Sequence, residues 1–273
     1  MLMATTAHTF TSPPAESRGW ATFIDKWIYV IMASWIMTIV LVGFIPDSIR
    51  MLAAIDAGQA APIPPILHVH AVLMGSWITL LLVQAVLMAT GRKGMHMQLG
   101  IAAFLLMPAI IIAGIVLVPV RHAQLYEFIA IAPPPLAAQL QNEVVPFVTN
   151  IILGQIRIGI MFPLLVGLAL YYRLRDSGTH KRLMILATIG PLPAAFDRMW
   201  YLPTTLPDSP LAIDLYSFLI AAPMIGWDLY RQKRLHRAYL IWLALLLPAA
   251  IAMNVLWGTS WWLETGPRLV GQG

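Results

Sequence analysis

Seven stretches of this chain are apolar and long enough to cross a lipid bilayer as helices. A bilayer core of roughly 30 Å requires about 20 predominantly apolar residues in helical form. We therefore predict an all-α fold, a polytopic integral membrane bundle of seven transmembrane helices. The predicted spans are residues 27–44, 67–90, 97–118, 146–172, 183–202, 211–230 and 238–257.

Five of these spans contain proline, which removes a backbone N–H and interrupts a helix in water. Neighbouring helices in a membrane bundle can satisfy the freed carbonyls, so kinked spans are tolerated there. The span 183–202 is the most interrupted, because it contains two prolines together with Asp197 and Arg198.

The predicted organisation is one membrane domain with short ends. Residues 1–22 form a flexible cytoplasmic tail, residues 23–262 form the seven-helix domain, and residues 263–273 form a short outer tail. Within the domain, three hairpins make a weak repeat, because each turns around through a basic stretch that contains one histidine.

The distribution of lysine and arginine predicts the orientation. Twelve of them precede the first span or lie in the three basic hairpin turns, whereas Arg50, Arg121, Arg198 and Arg268 lie on the other side. Because basic loops stay in the cytoplasm, we predict an N-terminus inside and a C-terminus outside, in a bacterial inner membrane.

Composition narrows the class further. The chain is 59% hydrophobic and 11% charged, and it has no cysteine, which excludes thiolate ligands and cysteine nucleophiles. The basic residues behind its net charge of +5 lie mainly in the loops between spans, and they form no basic patch that would indicate nucleic-acid binding. The expected partner is the lipid bilayer, and partner membrane subunits or a second copy of the chain remain open.

Three histidines share one predicted depth at the inner interface, since each opens an outward-going helix. They are His96, His180 and His236. Histidine is common at such an interface, and it is also the commonest metal ligand. One interpretation is therefore a divalent metal site made of all three side chains.

A resemblance adds to this interpretation. The chain is similar to a group of uncharacterised bacterial multi-spanning membrane proteins with an H-x-H…W…Q…R…H-x-x-x-G hairpin and an H-K-R-L-M motif, and loosely to cytochrome b561-like proteins. The matching residues are His68, His70, Trp77, Gln84, Arg92, His96 and Gly100, with residues 180–184 as the second motif.

The b561-like resemblance implies haem b held by histidine pairs. His96 and His180 would form the inner pair, and His70 would be half of an outer pair. The fourth span contains no histidine, and His122 is expected in a loop. At most one bis-histidine site is therefore expected.

One face of the second span carries His70, Trp77 and Gln84, which are seven residues apart. Polar side chains in a span usually point into the bundle. They could join helices by hydrogen bonds or line a water-filled entrance.

A second polar group is expected at one depth in the outer half of the bundle. Counted at 1.5 Å per residue from the inner edge, its members lie about 21–25 Å up. They are Arg157, Asp197, Asp214 and Asn254. They predict either a polar cavity or an ion pair of Arg157 with Asp197.

Three functions follow from these patterns. The first is a redox protein that binds haem b or a metal ion. The second is a transport or channel-like protein for a small solute or protons, and the third is an accessory subunit without chemistry of its own. The sequence leaves open whether the protein is an enzyme, because it has no metalloprotease or serine-hydrolase motif.

Overall fold

The computed structural model describes residues 15–58 and 62–272. These residues form eleven α-helices and one π-helical turn at Leu140–Val144, with no strand among them. The helices are α1 (Ala15–Asp56), α2 (Pro65–Ala89), α3 (Lys93–Leu99), α4 (Ala102–Ile131), α5 (Pro134–Gln139), α6 (Val145–Tyr172), α7 (Ser177–Ile189), α8 (Pro193–Phe196), α9 (Leu211–Gln232), α10 (Arg237–Leu256) and α11 (Ser260–Leu269).

Six helical segments in the described chain are long and apolar enough to cross a membrane. Their outward faces keep large apolar side chains exposed, as lipid-facing helices require. The predicted all-α, multi-pass membrane character is therefore confirmed. The six segments are Gly19–Asp56, Pro65–Ala89, Lys93–Ile131, Pro134–Tyr172, Leu211–Gln232 and Arg237–Leu256.

Several helices extend beyond their predicted ends. Residues 15–22, expected in a flexible tail, begin α1, and residues 1–14 lie outside the described residues. Helix α1 continues through Pro46, and α4 continues through Pro119 to Ile131, where a loop was expected. A helix satisfies its backbone groups internally, so it is the favoured conformation wherever lipid surrounds the chain.

The fifth predicted span, 183–202, is not one helix. Helix α7 ends at Ile189, and only the four-residue α8 follows. Pro191 and Pro193 lack the N–H groups that would bond to the carbonyls of Ala187 and Ile189, so two helical bonds are lost within one turn and the helix ends. Because α7 has 13 residues, it is shorter than the about 20 that a straight crossing needs.

Helix α7 is nevertheless the centre of the bundle. Leu183, Leu186 and Ile189 are fully buried, and they share one core cluster with residues of α1, α6, α9 and α10. An apolar helix that is buried on all sides has no lipid-facing stripe. Its position between the longer helices compensates for its shortness.

The bundle has two distinguishable ends. The basic end carries the three hairpin turns that connect α2 to α3, α6 to α7 and α9 to α10. There Asp25 of α1 accepts from Arg231 at 2.6 Å. At the opposite end, Asp47 lies about 33 Å further along α1 and contacts Arg198 at 3.1 Å. The segment from Ser177 to Arg198 therefore runs from one end to the other.

The predicted outer tail is a docked helix. Trp262 of α11 is 3% exposed, and its indole N–H donates to the carbonyl of Thr149 in α6 at 3.0 Å. Gly266 lies so close to Thr149 that an added Cβ would stand 2.8 Å from the methyl group. Residues 263–269 therefore belong to the folded domain.

A buried ion pair joins α7 to α9. The guanidinium of Arg182 donates to both oxygens of Asp228, at 2.6 and 2.5 Å. The phenol of Tyr239 in α10 and the amide of Gln232 also donate to this carboxylate. Both charged side chains are less than a tenth exposed. Four hydrogen bonds thus satisfy a carboxylate that would otherwise be costly to bury.

A second network extends the pair toward the surface. Asp176 caps α7 by accepting from the backbone N–H and hydroxyl of Thr179. Arg237 at the start of α10 contacts Asp176 at 2.6 Å. The hydroxyl of Thr179, with help from Arg237, lowers the pKa of Asp176 to about 2, so this carboxylate is ionised near neutral pH.

We predict that Arg182→Ala destabilises the folded protein by about 3–5 kcal/mol, because it strands the buried Asp228 carboxylate. The matched control is Arg231→Ala, which breaks an exposed pair with Asp25 and should cost far less, because water already solvates both charges. Thermal unfolding in detergent measures both losses. Equal losses in the two variants would show that burial does not govern the Arg182–Asp228 pair.

Candidate functional site

Two of the predicted ligands, His96 and His180, meet at the basic end. Their ring centroids are 6.4 Å apart, and the ring planes are inclined at 81°. His96 lies on α3 and His180 on α7, so the pair joins segments that are 84 positions apart in the chain. Among the described residues, it is the one contact between two histidine rings.

Backbone contacts orient the ring of His180 and hold the chain at His96. The Nδ1 atom of His180 lies 2.8 Å from the carbonyl oxygen of Ala169 in α6. A protonated Nδ1 donating to this carbonyl leaves Nε2 with its lone pair available as a ligand. On the other side, the amide of Gln84 donates to the backbone carbonyl of His96 at 3.1 Å. Gln84 thus ties α2 to α3 at His96, which is one of the two roles that its sequence position left open.

His236 has a different role. Its Nδ1 accepts a hydrogen bond from the backbone N–H of Ala238, so the side chain caps α10. Burial and the guanidinium of Arg182 lower the pKa of His236. Across residues 15–58 and 62–272, no three metal-ligating side chains come together. The three-histidine metal site of His96, His180 and His236 is therefore not formed.

The other histidines remain separate. His70 is half-buried on α2, and its Nδ1 has no hydrogen-bond partner in the described structure. His122 is 3% exposed within α4, where its Nδ1 lies 2.8 Å from the carbonyl of Val118. The expectation of His122 in a loop is wrong, because α4 continues past Pro119.

Trp77 is a packing residue. It is 1% exposed, and its indole N–H donates to the hydroxyl of Thr188 on α7 at 3.1 Å. Its ring packs edge-on against Phe162, with centroids 5.1 Å apart. The contact holds α2 and α6 against the end of α7. Trp77 and Thr188 lie 111 positions apart, and no motif in the sequence indicates that they are in contact.

The intramembrane arginine has a different partner from the one predicted. Arg157 contacts Asp214 of α9 at 2.5 Å, and their side chains are 5% and 14% exposed. The predicted pair of Arg157 with Asp197 is therefore wrong. Asp197 follows the break in α7 and lies near the charges of Arg198 and Asp47 at the opposite end. Depth counted along a continuous helix does not apply beyond that break.

Two spaces adjoin the Arg157–Asp214 pair. A cavity of about 20 Å³ lies behind it, lined by Arg157, Ser217 and apolar side chains. Such a volume accommodates about one water molecule. In front, a groove of about 340 Å³ between α9 and α10 is lined by Asp214, Asn254 and seven apolar residues. The expected polar cavity is thus a mainly apolar groove with two polar residues.

We predict that Asp214→Ala destabilises the protein, because an unpaired Arg157 at this depth is costly. Adding Arg157→Ala should recover part of the loss, whereas Asp197→Ala should add to the effect of Arg157→Ala without interaction. Double-mutant cycles on thermal stability in detergent measure both couplings. Additive losses for Arg157 and Asp214 would contradict the ion pair.

The comparisons with known proteins leave the site to be interpreted from its own geometry. The chain matches no known family model, no curated protein and no solved structure.

Proposed function

We propose that this chain is a redox protein of the bacterial inner membrane that holds one haem b between His96 and His180. The observation that supports the proposal most directly is the 6.4 Å separation of the two rings. The loose similarity to cytochrome b561-like proteins implies the same ligands, and it remains a prediction.

The ring separation matches what one metal atom needs. A metal–imidazole bond is about 2.0–2.1 Å long. Two rings whose centroids are 6.4 Å apart are close enough that one metal atom held between them would bond to both.

Two protein ligands favour haem over a free divalent ion. A structural or catalytic zinc site takes three or four protein ligands, whereas haem iron takes one or two because the porphyrin supplies the rest. The described residues bring no third metal-ligating side chain to His96 and His180. The donor set therefore fits haem b better than it fits a divalent cation.

The surroundings fit an anionic cofactor. Arg173 lies close enough to His180 to influence its charge, and its guanidinium is held 5.1 Å from the Phe104 ring centre. Arg92 and Lys93 open the neighbouring turn and are exposed. These cations could pair with haem propionates at the membrane surface. A bound haem would supply one-electron transfer.

The chain's own residues would hold the ligands in place. The Ala169 carbonyl fixes the ring of His180, and Gln84 fixes the backbone at His96. A carbonyl that accepts from the ring N–H of a histidine ligand orients it and raises its basicity, as Ala169 would for His180. The Arg182–Asp228 pair lies two residues from His180 and holds the start of α7 against α9.

We also propose seven membrane crossings with the basic end in the cytoplasm. The positive-inside distribution supports this orientation. The path of residues 177–198 from one end of the bundle to the other supports a crossing made of α7, the proline break and α8. Irregular backbone at membrane depth is tolerated where protein buries it, and here Leu192 and Ala195 are buried at the break.

We predict that the purified protein shows a Soret band and sharp reduced α-bands, which His96→Ala and His180→Ala each abolish because haem loses an axial ligand. His68→Ala, at an exposed position, is the matched control and should retain the spectrum. Visible absorption with haem quantification measures the result. Full occupancy in the His96→Ala, His180→Ala double variant would contradict the site, as would a colourless, haem-free wild type.

We predict that reporter fusions at Lys93, Ser177 and Lys233 report the cytoplasm, and that a fusion at Asp208 reports the outside. Asp208 follows the broken α7–α8 segment, so the side on which it lies tests directly whether this segment crosses the membrane. A cytoplasmic signal at Asp208 would show that the segment returns to the side where it began.

A further inference from the structure

The groove between α9 and α10 lies away from the histidine pair and has its own structural cause. Both helices contain a proline at similar height, Pro223 about 14 Å and Pro248 about 17 Å from the basic end. Proline bends a helix at such positions. The groove residues of α9 and α10 lie on the far side of these prolines, and after them the indole of Trp257 donates to the carbonyl of Pro207 at 2.8 Å.

The groove has the composition of a ligand site. Its volume of about 340 Å³ falls at the lower end of the range for small-molecule pockets. Its open side carries Leu247, Ile251 and Val255, which are between 48% and 66% exposed on a helix suited to lipid. Apolar walls with few polar groups characterise such pockets. A ligand would enter from the bilayer.

The polar atoms in the groove define the head of that ligand. Arg157 bonds one oxygen of Asp214, which leaves the other oxygen for a further donor. The amide of Asn254 donates once, to the carbonyl of Ala250, and retains one N–H and its carbonyl oxygen. A ligand that donates to Asp214 and exchanges a hydrogen bond with Asn254 would satisfy both residues.

Charge selects among possible heads. A carboxylate or phosphate would be repelled by Asp214, and an ammonium would compete with Arg157 for its carboxylate. A hydroxyl is neutral, and it can donate to Asp214 while accepting from Asn254. The Arg157–Asp214 pair then stays intact, which avoids the cost of a stranded charge.

We propose that this groove binds a neutral lipid of the membrane through a hydroxyl head at Asp214 and Asn254, with its hydrocarbon chain between α9 and α10. This site is independent of haem binding, because it uses none of the residues around His96 and His180.

The test compares decanol, decylamine and decanoate at equal mole fraction in detergent micelles. Binding to the folded state raises the melting temperature with ligand concentration. The reference is Ala250→Phe, whose larger side chain fills the groove. Any change in its melting temperature therefore reports the general effect of the amphiphile on the micelle. Ala252→Phe places the same ring outside the groove lining and is the matched control.

We expect decanol to raise the melting temperature of the wild type and of Ala252→Phe more than that of Ala250→Phe. For decylamine and decanoate, this difference between the wild type and Ala250→Phe should be smaller. Asn254→Leu, an exposed substitution, should weaken the apparent affinity for decanol about two- to tenfold, as loss of one hydrogen bond predicts.

Two results would overturn the proposal. If Ala250→Phe and the wild type respond equally to decanol, the groove does not bind it. If the difference between them is the same for all three heads, the polar residues do not select a hydroxyl. Ala252→Phe and Asn254→Leu alter exposed positions, so both variants should fold. If Ala250→Phe does not fold, the affinity of Asn254→Leu for decanol decides, and an affinity equal to that of the wild type contradicts the proposal.

Discussion

The buried Asp228 carboxylate is the constraint on which the arrangement of the bundle depends. It lies where water cannot solvate it, so it needs donors from several elements at once. Arg182 of α7, Tyr239 of α10 and Gln232 of α9 supply them. Because one charge must be satisfied by three helices, these helices can pack in few relative positions. His180 is two residues from Arg182, so the same constraint positions the histidine pair.

The break in α7 is tolerated for the same reason. Its carbonyls lose partners at Pro191 and Pro193, yet Leu192 and Ala195 of the same segment are buried against the surrounding helices. Trp77 contributes by bonding Thr188 just before the break. The break also releases Asp197 from the depth of Arg157, which leaves Asp214 as the ion-pair partner. The proline-rich turn at residues 190–193 therefore sets where α7 ends, and it also removes Asp197 as a partner for Arg157.

The two candidate sites make different demands on the protein. The histidine pair needs rigid backbone support, which Ala169 and Gln84 provide at the basic end. The groove needs an opening toward lipid, which the exposed residues Leu247, Ile251 and Val255 of α10 provide. Both sites lie beside buried charge pairs, because a charge that is already neutralised can stand next to an apolar ligand at small cost.

The sequence alone determined the all-α, multi-pass character, because long apolar stretches have few alternatives to membrane helices. Its basic turns placed His96, His180 and His236 at one depth, and the b561-like resemblance paired His96 with His180. Only the tertiary structure decided which charges meet. Arg157 pairs with Asp214 instead of Asp197, His236 caps a helix, and Asp228 joins three helices. Such choices depend on lateral packing and helix breaks, whereas sequence spacing measures only distance along each helix.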